Sequence, residues 1–66
     1  MDWKSRMKLV EQGFTVIRRD DHPQPSIIKA TEARDWVVLE WFDTKSERNE
    51  AVKNMVEDNQ DVILDE

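Results

Sequence analysis

Asp20-Asp21-His22 is the one run in the sequence whose residue types suggest acid–base or metal chemistry. Two carboxylates and an imidazole can hold a divalent cation or share a proton. Adjacent residues converge on one point only where a loop folds tightly, and Pro23 and Pro25 follow at once. Asp before a turn and Pro within it are ordinary loop chemistry, since Asx side chains hydrogen-bond their own backbone. The plain reading prevails for this run. With no Cys, thiolate nucleophiles, disulfides and thiolate zinc sites are excluded. Ser5, Ser26 and Ser46 have no base at a fitting spacing, and the single Gly, Gly13, excludes a glycine-rich phosphate loop. The sequence therefore assigns no catalytic, cofactor-binding or metal-ligating residue. It reads as a non-enzymatic protein with no evident small-molecule substrate.

Two other constellations bear on binding. Trp3, Trp36 and Trp41 belong to a residue type frequent at protein interfaces and able to stack on bases. Small domains also fill their cores with large aromatics. Trp41, on the same strand face as Val37 and Leu39, is expected in the core. Trp36, opening its strand, is the better surface candidate, and Trp3 either anchors a helix or makes an exposed contact. Trp3, Trp36, Val38 and Phe42 form the candidate partner surface. Arg18, Arg19, Lys29 and Arg34 form the candidate nucleic-acid contact, because phosphate neutralisation supplies most of such affinity. Four bases are few, and they read more simply as solvated hairpin charges that discourage edge aggregation.

The elements that must position these residues follow from pattern. Residues 2–12 read as a short helix, with Asp2 as N-cap, Trp3, Met7 and Val10 on one stripe and Gly13 at the left-handed C′ position. So short a helix is unstable alone and must dock. Phe14 to Arg19 is rich in β-branched residues and reads as a strand, Asp20 to Ser26 as a loop, and Ile27 to Thr31 as a second strand. Glu32 to Asp35 is a short connection. Trp36 to Phe42 is the strongest strand signal. Val37, Leu39 and Trp41 point one way, Trp36, Val38 and Phe42 the other, so both faces are expected to be at least partly covered. Thr44-Lys45-Ser46-Glu47 is a capping box that opens a helix through about Asp58, with Ala51, Val52, Met55 and Val56 as its apolar stripe. Val62 to Leu64 is a short terminal strand or a packed tail, and the last few residues are expected to fray.

Composition bounds the whole. Sixty-six residues of 7.9 kDa allow one small domain, residues 1–66, burying roughly 60% of the surface its unfolded chain exposes. The charged and apolar fractions are both 38%, and three Trp with two Phe argue against a disordered chain. The apolar stretch around Val37 to Leu39 breaks at Glu40, far short of a membrane span, and no signal-peptide core is evident. Lys4, Arg6 and Lys8 around the first helix give only a faint membrane-surface pattern. A reducing interior, the cytoplasm, is the expected location, without membrane association. Charge is lopsided: residues 1–34 carry seven bases and five acids, net +2, while residues 35–66 carry three bases and ten acids, net −7.

The junction Phe42-Asp43-Thr44-Lys45-Ser46-Glu47, with Ala51 one turn on, resembles the arm-type DNA-binding domains of tyrosine recombinases over about 40 residues. That resemblance implies a three-stranded sheet entering the major groove through Arg18, Arg19 and Lys29. Arg48 stands where that family usually has Ala, the chain is acidic overall, and no catalytic domain follows. The sequence is also similar to short uncharacterised bacterial, phage and mobile-element proteins, which carry no known activity.

The expected fold is α+β: a three-stranded antiparallel sheet, a capped C-terminal helix on one face and a short N-terminal helix on the other or on its rim. The expected role is a protein-interaction or regulatory module, binding a protein partner or itself. DNA binding through the sheet is the first alternative, and an acidic inhibitor mimicking nucleic acid the second. A homodimer burying Trp36, Val38 and Phe42 would hide the uncovered sheet face. Coverage by the Trp3, Met7, Val10 stripe is the rival, and it implies a monomer.

Overall fold

The computed structural model describes residues 1–65. Helix α1 (Trp3–Glu11) leads into strands β1 (Thr15–Asp20), β2 (Ser26–Ala30) and β3 (Trp36–Trp41), then helix α2 (Lys45–Asp58) and strand β4 (Val62–Leu64). The class is α+β. The sheet, however, has four strands in the order β3-β2-β1-β4, not three. β1 pairs antiparallel with β2, and β2 with β3, but β4 lies parallel to β1, with Thr15, Val16 and Ile17 opposite Val62, Ile63 and Leu64. A three-residue strand is too short to carry a period-2 signal, and its pairing exists only because α2 carries the chain back across the sheet. The terminus does not fray before Glu66, which lies outside the described residues: Asp65 is buried, and its amide donates to the Ile17 carbonyl at 2.9 Å.

Both helix starts form as their residues dictate. The Asp2 carboxylate accepts from the Ser5 amide at 2.8 Å. Gly13, at φ 94°, closes α1 with paired bonds, its amide donating to Val10 O and that of Phe14 to Leu9 O. This is the left-handed C′ geometry that glycine adopts without a Cβ penalty. At α2 the Thr44 hydroxyl accepts from the Glu47 amide at 3.1 Å, which is one half of the capping box.

Ile17, Ile27 and Val52 make the buried centre under α2, with Phe42, Ala51, Met55, Val62 and Leu64 packed around them. Directly opposed residues in an antiparallel pair share a face. Val16, Arg18, Ile28 and Ala30 therefore look the other way, towards α1. No helix among the described residues is long and apolar enough to cross a membrane.

Strand β3 departs most from expectation. Ile28 pairs with Val38 but Ile27 with Glu40, so Leu39 is an extra residue in a β-bulge. The bulge shifts the alternation by one. Trp41 comes to lie opposite Ser26 on the face of Trp36 and Val38, while Phe42 turns to the α2 face with Val37 and Leu39. The expected grouping of Trp41 with Val37 and Leu39, and of Phe42 with Trp36 and Val38, is thereby exchanged. Both faces are partly covered, Trp36 by Trp3 of α1 and Phe42 by α2, but coverage thins along the rest of β3. β3 is an edge strand, α1 packs chiefly on β1, and α2 lies over β1, β2 and β4.

Candidate interaction surface

The Asp20-Asp21-His22 run sits at the β1–β2 hairpin, and its acids are engaged structurally. Arg48 is buried on α2 and donates through Nη1 to the Asp20 carbonyl at 2.7 Å and to Asp21 Oδ1 at 3.0 Å. Lys45 lies 3.7 Å from Asp21 Oδ2. The Arg48 hydrogen bond, aided by the Lys45 charge, holds the Asp21 carboxyl below its ordinary value despite the opposing effect of desolvation. Arg48 thus clamps the hairpin to the helix. Among the described residues no three metal-ligating side chains gather, and no enclosed pocket opens.

A second charged group lies where α1 meets the sheet. Asp65 accepts from Arg6 Nε at 2.5 Å and from Arg18 Nη2 at 3.2 Å, while the Met1 amine approaches to 3.4 Å. Arg18 Nε also donates to the Asp65 carbonyl at 3.2 Å. Aromatic rings interleave with these cations. The Arg6 guanidinium lies 4.7 Å from the Trp3 ring centre and 5.1 Å from that of Trp36, and the Arg18 guanidinium 4.7 Å from Trp36. The two rings are 5.4 Å apart and tilted by 50°. Such cation–π contacts gain strength where water is excluded. Burial alone would raise the Asp65 pKa, but the Arg6 hydrogen bond and the charges of Arg6, the N-terminus and Arg18 prevail and lower it. Sequence reasoning missed this cluster. Arg6 and Asp65 are 59 residues apart, and both types are ordinarily exposed.

The structure scatters the candidate nucleic-acid residues. Arg18 is occupied by Asp65 and Trp36 on the α1 face. Arg19 and Lys29, opposite Ile27 and Ile17, belong to the α2 face. Arg34 is exposed in the β2–β3 turn, at φ 61°. Of the candidate partner residues, Trp3 and Trp36 meet, Val38 is close by on the same face, and Phe42 is separated from them by the sheet. Of the Trp3, Met7, Val10 stripe, Trp3 reaches β3 at Trp36, while α1 packs chiefly on β1.

The rest of β3 carries four of the six exposed large apolar side chains among the described residues, Met1 and Val56 being the others. Val37 is 42% exposed, Val38 41%, Leu39 43% and Trp41 47%. Val38 and Trp41 stand on one face and Val37 and Leu39 on the other, where neither helix packs extensively on β3. Glu40 is the one charge within the strand. No protein-family model, curated protein or solved structure matches this chain. The surface itself is what remains to reason from.

Proposed function

We propose that this chain is a protein-interaction module whose contact surface is the open edge of β3. The observation that carries the reading is the exposure of Val37, Val38, Leu39 and Trp41 on both faces of one edge strand. Natural sheets blunt their edges with Lys, Pro or very short strands. β4, at the opposite edge, is short, whereas β3 has six residues and neither Lys nor Pro, and only Glu40 and the bulge at Leu39 interrupt it. A strand of this kind favours β-augmentation, in which main-chain hydrogen bonds give affinity and alternate side chains give specificity.

DNA binding through a sheet face is less well supported by the same geometry. Helices lie on both faces, and the candidate bases divide between them. Acidic mimicry gains little from a first half of net +2.

The test compares capture from the native lysate by the wild type and by Leu39→Lys, which places a charge on the edge without touching the core. Loss of the retained proteins in the variant, with helical content unchanged by circular dichroism, is the expected result. Identical retention by both proteins overturns the edge reading. So does retention of the wild type on heparin at low salt that Arg18→Ala with Arg19→Ala abolishes, since that outcome assigns the sheet to nucleic acid.

A further inference from the structure

Resting on that reading of β3, we infer that the edge is closed by a second copy of this chain, paired antiparallel β3 to β3 about a twofold axis. The result is one continuous eight-stranded sheet. Three observations select this occupant. A strand added at β3 must be apolar on both of its faces, because Val38 and Trp41 project on one side and Val37 and Leu39 on the other. β3 itself is such a strand but for Glu40, which stands at the edge of the α2 face. A helix or a flat surface would cover one side and leave the other wet.

Charge at the strand ends fits the same arrangement. Antiparallel pairing sets the start of one β3 beside the end of the other. Arg34 and Asp35 precede the strand and Asp43 follows it; all three are exposed, and the Asp35 carboxylate already accepts from the Thr31 hydroxyl. The twofold axis brings Arg34 of each copy towards Asp43 of the other, two opposite-charge contacts that the neighbouring Asp35 partly offsets. A parallel pairing would set like ends together, Arg34 beside Arg34 and Asp43 beside Asp43.

Closure and area complete the case. β3-to-β3 contact is isologous: it uses the long edge of both copies and leaves outside only the short β4 strands. Pairing β3 on β4 would instead propagate without end. The four exposed side chains offer on the order of 300 Å² of apolar surface per copy, below the ~800 Å² per partner of a standard stable interface. Main-chain bonds and the two charge contacts add to this small patch. The dimer is therefore a reversible one, of the weak and transient class.

Sedimentation equilibrium from about 10 µM to 1 mM tests the inference. The wild type is expected to pass from 7.9 kDa towards twice that mass, and Leu39→Lys to stay monomeric. Arg34→Asp and Asp43→Arg should each weaken association about tenfold by turning two attractions into repulsions. Asp tolerates the left-handed conformation of position 34 better than most residues, so the swap leaves the turn unstrained. The double variant carrying both swaps should recover wild-type association. A wild type monomeric at 1 mM overturns self-pairing and leaves the edge reading to the lysate comparison, which does not depend on copy number. A dimer unaffected by Leu39→Lys overturns both, because the copies then meet elsewhere. A dimer sensitive to Leu39→Lys but indifferent to both charge swaps overturns the antiparallel register.

Discussion

Asp65 joins the two ends of the chain through Arg6, Arg18 and the N-terminal amine. Its carboxyl titrates below the ordinary value of 3.8 because these partners outweigh the effect of burial. The unfolded chain therefore binds a proton at higher pH than the native one. The stability this group supplies is complete above the unfolded value and is lost as pH falls through the lowered native value. Asp65→Asn removes that acid limb and leaves Arg6 buried without its counter-charge, a loss of about 3 kcal/mol. Urea unfolding of both proteins between pH 2 and 7 measures it, and matching profiles would show that the cluster contributes nothing. Ser26 has the opposite sign. Its hydroxyl is fully buried with no hydrogen-bond partner. Ser26→Ala should therefore stabilise the fold by about 1 kcal/mol, since an unsatisfied buried group keeps its desolvation penalty. A lower melting temperature for the alanine variant would count against that accounting. Neither residue announced itself in the sequence. An isolated Ser before a strand reads as turn chemistry, and a penultimate Asp as solvated charge.

Elements were legible where a local signal existed. Asp2, Gly13 and Thr44 are found at the helix ends their types imply, and the β-branched runs form the strands. Thr44→Ala should cost about 1 kcal/mol by freeing the Glu47 amide. In a domain of this size that lowers the melting temperature by roughly 4–8 °C. An unchanged value would mean that α2 does not depend on its cap. What escaped the sequence is non-local. The parallel seat of β4 requires α2 to span the sheet first, and three residues cannot state where they will pair. The bulge at Leu39 is invisible to alternation, yet it moves Trp41 out to solvent and Phe42 in towards Val52. Apolar character on both faces of β3 was a true reading of the residues. Coverage followed only in part, because an edge strand at the margin of both helices can remain apolar and half open. Of the candidate partner residues, Val38 is thus exposed on the edge strand and Phe42 packs beneath α2.

At the scale of the whole molecule, the accessible surface of 4486 Å² is about what a chain of this mass exposes when folded. Openness is concentrated at one edge. With dimensions of 32 × 26 × 16 Å, the molecule is a thin slab whose helices cover the β1 and β4 side more than the β3 side. A slab uncovered at one edge gains most from a neighbour at that edge. If the paired form is part of the native state, its stability depends on concentration by mass action, since the unfolded chain does not pair. A hundredfold increase in protein concentration then adds roughly 1 kcal/mol per chain where pairing extends across the range. For so small a domain this corresponds to a rise of about 4–8 °C in melting temperature. Scanning calorimetry at about 10 µM and 1 mM should show that rise for the wild type. Leu39→Lys should give one melting temperature at both concentrations, because it removes the edge contact and leaves Ile17, Ile27 and Val52 untouched. A wild type whose melting temperature ignores concentration would mean that the edge adds nothing to the stability of the fold. The exposed valines, leucine and tryptophan of β3 would then serve only a partner of different sequence.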